Sequence, residues 1–384
     1  MTESTKKKKV LTLTEYMLHK ASAKKIPLSG TFELTPVCNF SCRMCYVRKT
    51  AGEVARYPRE MMTLEKWLSI AGEARESGLL YLLLTGGEPL LWPDFWTLYE
   101  KLNRMGFLVS INTNGSLIDR EVLEKLKMFP PKRVNITLYG ASDQTYERLC
   151  NVKGVFSKID QAIMGLKNAG IQVKLNCSLT PENAADLEKM IRYAKDRELV
   201  LQIASYMFPP IRRNAEMTGI NERFTPEESA RYRLKAFRLQ NGEERYREYL
   251  QQILDGKVLP TGLDESYVDP RDGRIRCRAG NASFWITWDG LMMPCGMVTV
   301  PQIDLYKNDF KSAWQQVVDV CEKMTLSGIC RRCSNLELCH ACAAMAIAET
   351  GEVTGVPVYL CRTVSAMQAI AEQEMNFYTQ DKLQ

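Results

Sequence analysis

The fold is decided by the stretch that begins at residue 30, and residues 30–46 read GTFELTPVCNFSCRMCY. Its first six residues predict a β-strand, and a continuous apolar run at 79–84 predicts a second strand that is buried on both faces. The same alternation continues along the chain and predicts further strands at 107–112, 133–139, 171–178 and 199–206. The helices predicted among them are 63–77, 93–105, 119–129, 156–169 and 181–197. Six β-then-α units imply a parallel sheet, either open and doubly wound or of the barrel type.

Three cysteines, Cys38, Cys42 and Cys45, follow the first predicted strand with three and then two residues between them. Thiolates this close can hold three irons of a cubic [4Fe–4S] cluster and leave the fourth iron open. An open coordination position is typical of a catalytic metal site rather than a structural one. The alternative is a zinc site that lacks its fourth ligand, although neither His19 nor His340 has finger-like spacing.

Polar motifs follow the next three predicted strands. They are Thr85-Gly86-Gly87-Glu88-Pro89, Asn112-Thr113-Asn114-Gly115 and Gly140-Ala141-Ser142. Two adjacent glycines let the backbone approach a ligand closely, and Glu88 supplies a carboxylate for an amino group. Each motif alone is also typical of a turn. Because ligands bind at the carboxyl ends of parallel strands, four such ends in succession favour a ligand site beside the cysteines.

In the three cysteines and the Gly86-Gly87-Glu88-Pro89 motif, residues 31–206 resemble the radical S-adenosylmethionine superfamily. The resemblance implies an α/β fold with a partial (β/α)6 TIM-type barrel, which decides between the two types of sheet. It also implies a [4Fe–4S] cluster whose open iron chelates the amino and carboxylate groups of S-adenosylmethionine.

The same resemblance suggests which residues bind the cofactor. Residues 86–88 would contact the methionyl amino group of the cofactor. The two asparagines of the second motif would bind the ribose, and an arginine would bind the carboxylate. The cofactor-binding candidates are Gly86, Gly87, Glu88, Asn112, Asn114, Ser142 and Arg148. The chain departs from the superfamily pattern at one position, which concerns the contact with adenine. The superfamily usually has an aromatic residue just before the third cysteine, whereas this chain has Met44 there and Tyr46 after it.

A second group of cysteines lies near the C-terminus, at Cys277, Cys295, Cys330, Cys333, Cys339, Cys342 and Cys361. Paired C-x2-C units are a common zinc signature. The segment 277–361 also resembles the SPASM extension of the same superfamily, which implies two auxiliary [4Fe–4S] clusters. The cysteines at 330, 333, 339 and 361 would hold the distal cluster, and those at 277, 295 and 342 the nearer one. Cys339 and Cys342 are separated by two residues, one fewer than the extension usually has. Cys321 is a candidate for a fourth ligand of the nearer cluster.

The composition of the chain limits the cellular compartment in which we expect the protein and the partners that it can bind. The 384 residues include 51 basic and 45 acidic side chains, which gives a net charge of +6. The chain has no concentrated basic stripe of the kind that a nucleic-acid binder needs. The longest apolar run, 79–84, is too short to cross a bilayer, and no secretion signal follows the lysines at 6–9. We therefore expect a cytoplasmic protein in which disulfides do not persist. Cys150, Cys177 and Cys321 are predicted to be core residues.

The predicted organisation has four parts. A short N-terminal extension, residues 1–30, precedes the barrel at 31–208. Residues 209–270 are predicted to be a helical connection, because Thr225-Pro226-Glu227-Glu228 fits a capping box at a helix start. Residues 271–384 are predicted to form the cysteine-rich iron–sulfur domain, which ends in a helix around 364–377.

The resemblance implies reductive cleavage of S-adenosylmethionine to a 5′-deoxyadenosyl radical that crosslinks or dehydrogenates a ribosomally made peptide. Two alternatives are an anaerobic sulfatase-maturing enzyme and a radical dehydrogenase of a small sugar or cyclitol. Sulfatase-maturing enzymes tend to have an acidic residue after the cysteine matched to Cys295, where this chain has Gly296. A different alternative is a non-catalytic electron carrier or zinc protein, which would have no use for the motif at 86–88.

The expected partners are the peptide substrate and an electron donor of the flavodoxin or ferredoxin type, with neither nucleic acid nor membrane. The residues before the barrel are too few for a leader-recognition domain, so we expect any such domain on a separate protein. The sequence identifies no catalytic acid or base, because Asp289 in Trp288-Asp289-Gly290 is typical of a hairpin turn.

Overall fold

The computed structural model describes residues 12–256 and 277–381. Its strands are β1 (Ser29–Glu33), β2 (Tyr81–Thr85), β3 (Leu108–Thr113), β4 (Arg133–Thr137), β5 (Val173–Ser178), β6 (Val200–Ala204), β7 (Ser283–Ile286), β8 (Leu291–Met293) and β9 (Ile303–Asp304). They form one sheet in the order β6-β5-β4-β3-β2-β1-β7-β8-β9. The first six strands are parallel and lie in sequence order. A doubly wound sheet would reverse this order at a switch point. The predicted partial (β/α)6 barrel is therefore confirmed.

The helices also lie where the sequence places them, with a few additions. They are α1 (Leu13–Lys24), α2 (Ala51–Ala55), α3 (Leu64–Glu76), α4 (Phe95–Arg104), α5 (Arg120–Met128), α6 (Asp143–Cys150), α7 (Phe156–Asn168), α8 (Leu187–Asp196), α9 (Pro226–Asn241), α10 (Glu243–Leu254), α11 (Phe310–Lys323), α12 (Gly328–Arg331), α13 (Leu336–Cys339), α14 (Ala343–Thr350) and α15 (Val358–Asp381). The sequence analysis did not predict α1, α2, α6 or any of α11 to α14. The helix predicted from 181 begins at 187, after a short 3₁₀ turn.

The two faces of the barrel strands differ in character, because successive side chains point to opposite sides of a strand. One face is apolar and packs on the helices, as the rings of Phe32 in β1 and Trp67 in α3 show with centroids 4.7 Å apart. The other face carries polar residues at paired positions, for example Asn112 opposite Asn135. The concave side of the barrel is therefore polar.

The cysteine-rich region is joined to the barrel through the sheet itself. Strand β7 pairs in parallel with β1, and β8 and β9 extend the sheet by antiparallel pairing. The ring of Phe284 in β7 packs on that of Phe310 in α11, with centroids 5.0 Å apart. This continuity fixes the cysteine-rich region against the first barrel strand.

Helices α9 and α10 lie in the predicted helical connection, and α9 begins with the expected capping box at Thr225. Residues 257–270 of that connection and residues 271–276 of the predicted cysteine-rich domain lie outside the described part of the chain. The two helices and α15 share a buried cluster that includes Leu234, Leu250 and Met367. Within residues 12–256 and 277–381, no helix is long and apolar enough to cross a membrane.

Candidate functional site

The loop that follows β1 carries the first cysteine group and is held by backbone hydrogen bonds. The amide of Gly87 donates to the carbonyl of Thr35 at 2.7 Å, and the amide of Glu88 donates to that of Val37 at 2.9 Å. These bonds connect the segment before Cys38 to the end of β2. The glycine motif and the cysteine loop therefore form one structural unit.

The three cysteines line a cavity of about 350 Å³ at the carboxyl ends of the barrel strands. Burial raises the pKa of Cys38 to about 12. Hydrogen bonds from Cys150 and then Tyr139 outweigh burial at Cys42 and lower its pKa. The cavity is also lined by Gly86, Gly87, Asn112 and Asn114, together with Thr85 and Thr113. Residues from three of the four predicted strand ends thus meet around the cysteines.

The adjacent glycines are required because two backbone segments meet there. A Cβ at Gly86 would lie 2.4 Å from the carbonyl oxygen of Thr35, and a Cβ at Gly87 would lie 2.3 Å from that of Val37. Gly86 also has φ +152°, a conformation that disfavours side chains. The sequence analysis expected these glycines to let a ligand approach the backbone. In the structure they let the backbone of the cysteine loop approach instead.

We expect Gly87→Ala to destabilise the protein by about 1–3 kcal/mol, since backbone must move to admit the new methyl group. The cysteine loop would move with it, so the variant should also retain less iron after reconstitution. Gly72→Ala in α3 is the matched control, because a Cβ there meets nothing within 4 Å. Thermal unfolding and iron content measure both effects. A Gly87→Ala variant that matches the wild type in both would contradict this account of the motif.

Glu88 lies behind the cavity wall and is fully buried. Its carboxylate accepts hydrogen bonds from the Thr113 hydroxyl at 2.8 and 2.9 Å and from the Asn114 amide at 2.8 Å. Burial raises the pKa of this carboxyl to about 7, against those hydrogen bonds. In this structure Glu88 therefore holds the end of β3 in place and does not line the cavity.

The two asparagines predicted for the ribose face the cavity. The Asn114 amide nitrogen lies 3.8 Å from the Cys38 sulfur and donates to Asn39 Oδ1 at 2.9 Å. Asn112 Oδ1 accepts a hydrogen bond from Asn135 at 2.7 Å. The side-chain oxygen of Asn135 is buried and has no partner among the described residues. The concave face therefore presents an unsatisfied polar atom close to the candidate site.

Two cofactor-binding candidates, Ser142 and Arg148, lie away from the lining of this cavity. The Ser142 hydroxyl caps α6 by accepting the Thr145 amide. Arg148 donates to the Glu182 carbonyl at 3.1 Å and to the Thr145 hydroxyl at 3.2 Å. Both side chains thus make contacts that hold α6 in place.

Sequence reasoning missed the part of the lining contributed by the last three strands. These residues are Thr137, Tyr139, Ser178, Ala204, Tyr206, Met207 and Phe208. They carry no motif, and the one available signal was their position at or just beyond the predicted ends of β4, β5 and β6. Tyr46, which lies beyond the third cysteine, is also part of the lining.

A second cavity of about 330 Å³ lies between the barrel and the cysteine-rich region and shares Tyr46 and Val47 with the first. Its lining further includes Lys49, Tyr57, Arg212, Trp288, Asp289 and Gln302. The Asp289 carboxylate accepts from the Thr287 hydroxyl at 2.6 Å and lies 3.5 Å from Arg59 Nε. Its charge is therefore already compensated by neighbouring groups.

Arg212 connects the barrel to the cysteine-rich region beside this second cavity. Its guanidinium pairs with both oxygens of the fully buried Glu33 carboxylate, at 2.8 and 2.9 Å. Glu33 also accepts from the indole nitrogen of Trp285 at 2.8 Å, and Arg212 donates to the Gly296 carbonyl at 3.2 Å. We call these four residues the interdomain latch.

Burial raises the pKa values of Cys277 and Cys339, which also reflect electrostatic interactions within two sets of C-terminal cysteines. Electrostatic interactions connect Cys339 with Cys361, Cys330 and Cys333, whereas Cys277 interacts with Cys342, Cys295 and Cys321. The ligand sets that the SPASM resemblance implies stay a prediction. Cys321 lies against Gly280, where a Cβ would be 2.4 Å from its sulfur.

Comparison with known proteins gives matches along the chain. Residues 32–194 match the Radical SAM superfamily. The AdoMet-dependent heme synthase of Methanosarcina barkeri is 24% identical over 84% of this chain and 92% of its own length. A probable GTP 3′,8-cyclase of Aeropyrum pernix is 27% identical over 68% of this chain and 71% of its own length.

Solved structures resemble almost the whole chain. Streptococcus suis SuiB bound to its precursor peptide SuiA has a TM-score of 0.64 at 17% identity, covering 91% of this chain and 80% of SuiB. Native anSMEcpe with bound AdoMet has a TM-score of 0.66 at 17% identity, covering 92% of this chain and all of that one. The cysteine triad, the barrel and the family match together identify residues 32–194 as a radical SAM superfamily domain, and the solved structures share the fold of about nine-tenths of the chain.

Proposed function

We propose that this enzyme oxidatively modifies a side chain of a peptide that is held beside its S-adenosylmethionine site. The observation that carries the proposal is the pair of adjoining cavities, which share Tyr46 and Val47. The first cavity contains the cysteine triad. The second is lined by residues after the triad, such as Lys49, and by residues of the cysteine-rich region, such as Trp288 and Gln302.

The residues of the first cavity fit the cluster that the family implies. Three thiols on one loop suit three irons of a cubic cluster and leave one iron open. Within the described residues, no three Cys, His, Asp or Glu side chains are gathered to hold a single metal ion. A cluster in which each thiolate binds a separate iron explains this spacing better than zinc does. When bound and reduced, such a cluster cleaves S-adenosylmethionine and generates the radical that abstracts a substrate hydrogen.

The chain's own residues would then bind and orient the cofactor. Backbone groups of Gly86 and Gly87 line the cavity beside the triad, where the methionyl amino group would lie. Asn112 and Asn114 offer amide groups to ribose hydroxyls. Tyr139 and Phe208 also line the cavity and provide ring surface, which suits adenine in place of the usual aromatic residue before the third cysteine.

The second cavity would hold the substrate group. A volume of about 330 Å³ suits one large side chain rather than a whole folded partner. Its walls offer aromatic surface from Tyr57 and Trp288 and a cation from Lys49. Cys277, Cys295 and Cys342 would hold an auxiliary cluster, which would supply an electron acceptor for the substrate. The cysteines at 330, 333, 339 and 361 would hold a second auxiliary cluster, and a flavodoxin- or ferredoxin-type protein would supply the reducing electron.

Peptide substrates are supported by the kind of structure this chain resembles. SuiB binds the precursor peptide SuiA, and anSMEcpe binds Cp18Cys and Kp18Cys peptides, in structures that cover about nine-tenths of this chain. Maturation of a sulfatase is less well supported than maturation of another peptide. A Cβ at Gly296 would lie 3.1 Å from the Trp285 ring, which leaves little room for the acidic residue expected at that position.

A small-molecule substrate is the second candidate, and the sequence relatives favour it. The Methanosarcina barkeri relative, named a heme synthase, spans 84% of this chain, and the relatives named GTP 3′,8-cyclases span 68%. Under this alternative the same two cavities would hold S-adenosylmethionine and a small substrate such as a sugar or cyclitol. The radical chemistry would be unchanged.

The deciding experiment uses anaerobically reconstituted protein with S-adenosylmethionine and dithionite. Release of 5′-deoxyadenosine is measured with and without peptides encoded by short reading frames adjacent to the gene, and the peptides are then weighed by mass spectrometry. We expect peptide-dependent release and a peptide lighter by two hydrogens. The control is a scrambled peptide of equal composition. Slow release that ignores every peptide but rises with a small molecule would favour the second candidate.

A further inference from the structure

Within the described part of the chain, three charged side chains line the second cavity, and two of them already have partners of opposite charge. Arg212 donates to both oxygens of the buried Glu33 carboxylate, at 2.8 and 2.9 Å. The Asp289 carboxylate accepts from the Thr287 hydroxyl and lies 3.5 Å from Arg59 Nε. These two charges are therefore compensated by neighbouring groups of the protein.

Lys49 is the third of these side chains, and it forms no ion pair with a carboxylate among the described residues. Its nitrogen lies 4.8 Å from the centroid of the Tyr57 ring, which also lines the cavity. Hydrogen bonds from Thr50 lower the pKa of the Glu53 carboxyl, and Arg213 and Lys49 add smaller electrostatic effects. Because Glu53 is already held by Thr50 in the capping box of α2, Lys49 is left as the uncompensated charge of the cavity.

The position of Lys49 is fixed by its backbone. Its amide donates to the Pro36 carbonyl at 2.9 Å and so closes the loop 36–49, which carries the cysteine triad. The side chain is half-buried beside the rings of Tyr57 and Trp288, whose centroids lie 4.9 Å apart. A substrate group that pairs with Lys49 would therefore be held next to the loop that carries the triad.

We propose that Lys49 binds the carboxylate of an aspartate or glutamate side chain of the peptide substrate in the second cavity. The inference rests on the proposed function, because it takes this cavity as the place of the substrate. One carboxylate matches the one uncompensated charge, whereas a doubly charged phosphate would lie close to Asp289 without a second available cation in the described lining. The competing interpretation is that Lys49 is a solvated lysine resting on a tyrosine ring.

The test measures binding to the anaerobically reconstituted protein by ligand-detected NMR, with S-adenosylmethionine present and no reductant, so that no turnover occurs. The probes are a blocked peptide with one glutamate between glycines, the same peptide with glutamine, and butyrate as a small carboxylic acid. The variants are Lys49→Gln and Lys49→Arg. The matched control is Lys66→Gln, because Lys66 is also half-buried and its nitrogen lies 5.2 Å from the Tyr306 ring, outside the cavity lining.

We expect the wild type to bind the glutamate peptide at least about fivefold more tightly than the glutamine peptide. Lys49→Gln should lose this preference, and both Lys49→Arg and Lys66→Gln should keep it. Equal binding of the two peptides by the wild type, no binding of either, or an undiminished preference in Lys49→Gln would overturn the proposal. Equal loss in Lys66→Gln would do the same.

Two further outcomes separate the substrate class from the reaction. Butyrate that binds as tightly as the glutamate peptide would assign the site to a small carboxylic acid and overturn the peptide assignment. Selective binding of the glutamate peptide by a protein that releases no 5′-deoxyadenosine once dithionite is added would refute the proposed reaction and leave the carboxylate site intact.

Discussion

Replacement of Cys45 by alanine is expected to reduce 5′-deoxyadenosine release by at least about 10³-fold, because the bound cofactor carries the chemistry. Cys45 lines the first cavity, and its sulfur already accepts the Arg48 amide at 3.3 Å. Two remaining thiolates would leave two irons of a cubic cluster without a protein ligand. The reconstituted variant should therefore contain about four irons per chain fewer than the wild type.

The control for this variant is Cys177→Ala, since Cys177 is buried in the same barrel and lies on β5 rather than on the cysteine loop. It should lose some stability through its small cavity and keep both its iron and its activity. Near-normal release from Cys45→Ala would show that the triad is not the site of cleavage. Equal loss in both variants would point to general unfolding.

The features that the sequence predicted well depend on local patterns. Strands β1 to β6 have continuous or alternating apolar residues, and the triad is defined by spacings of three and two residues. The motif at 86–88 was correctly located beside the triad, because parallel strand ends share one edge. Its glycines serve a contact with the cysteine loop, which no pattern within residues 85–89 could reveal.

The features that were missed depend on contacts between distant parts of the chain. Ser142 and Arg148 stay predicted cofactor-binding residues, but the sequence did not reveal that they lie on the short helix α6, where they contact Thr145, Asp186 and Glu182. Cys150 was correctly predicted to be a core residue, but the sequence could not show that it lies beside the cysteine loop, since Ser41 is 109 positions away. Neither strand β7 nor its pairing with β1 was predicted, and apolar patterning could not have identified the partner of a strand.

The interdomain latch is the clearest of these long-range features, and it supports the prediction with the largest effect on stability. Glu33 and Arg212 are 179 residues apart, and their side chains are 0% and 10% exposed. Arg212→Ala would leave a buried carboxylate with only the Trp285 indole as a donor. Removal of one partner of a buried ion pair costs about 3–5 kcal/mol, so we expect the midpoint of anaerobic thermal unfolding to fall by at least about 5 °C.

The double variant Glu33→Gln/Arg212→Met distinguishes a latch from simple loss of packing. It removes both charges and retains an acceptor for Trp285, so most of the lost stability should return. Removal of an exposed pair with Lys235→Ala, whose nitrogen lies 2.8 Å from Glu188 on the surface, should change stability by less than about 1 kcal/mol. If the double variant is as unstable as Arg212→Ala, the buried charge is not the cause. Because Arg212 also donates to the Gly296 carbonyl, recovery of stability without recovery of substrate-dependent turnover would mean that the latch additionally positions the loop carrying Cys295 at the second cavity.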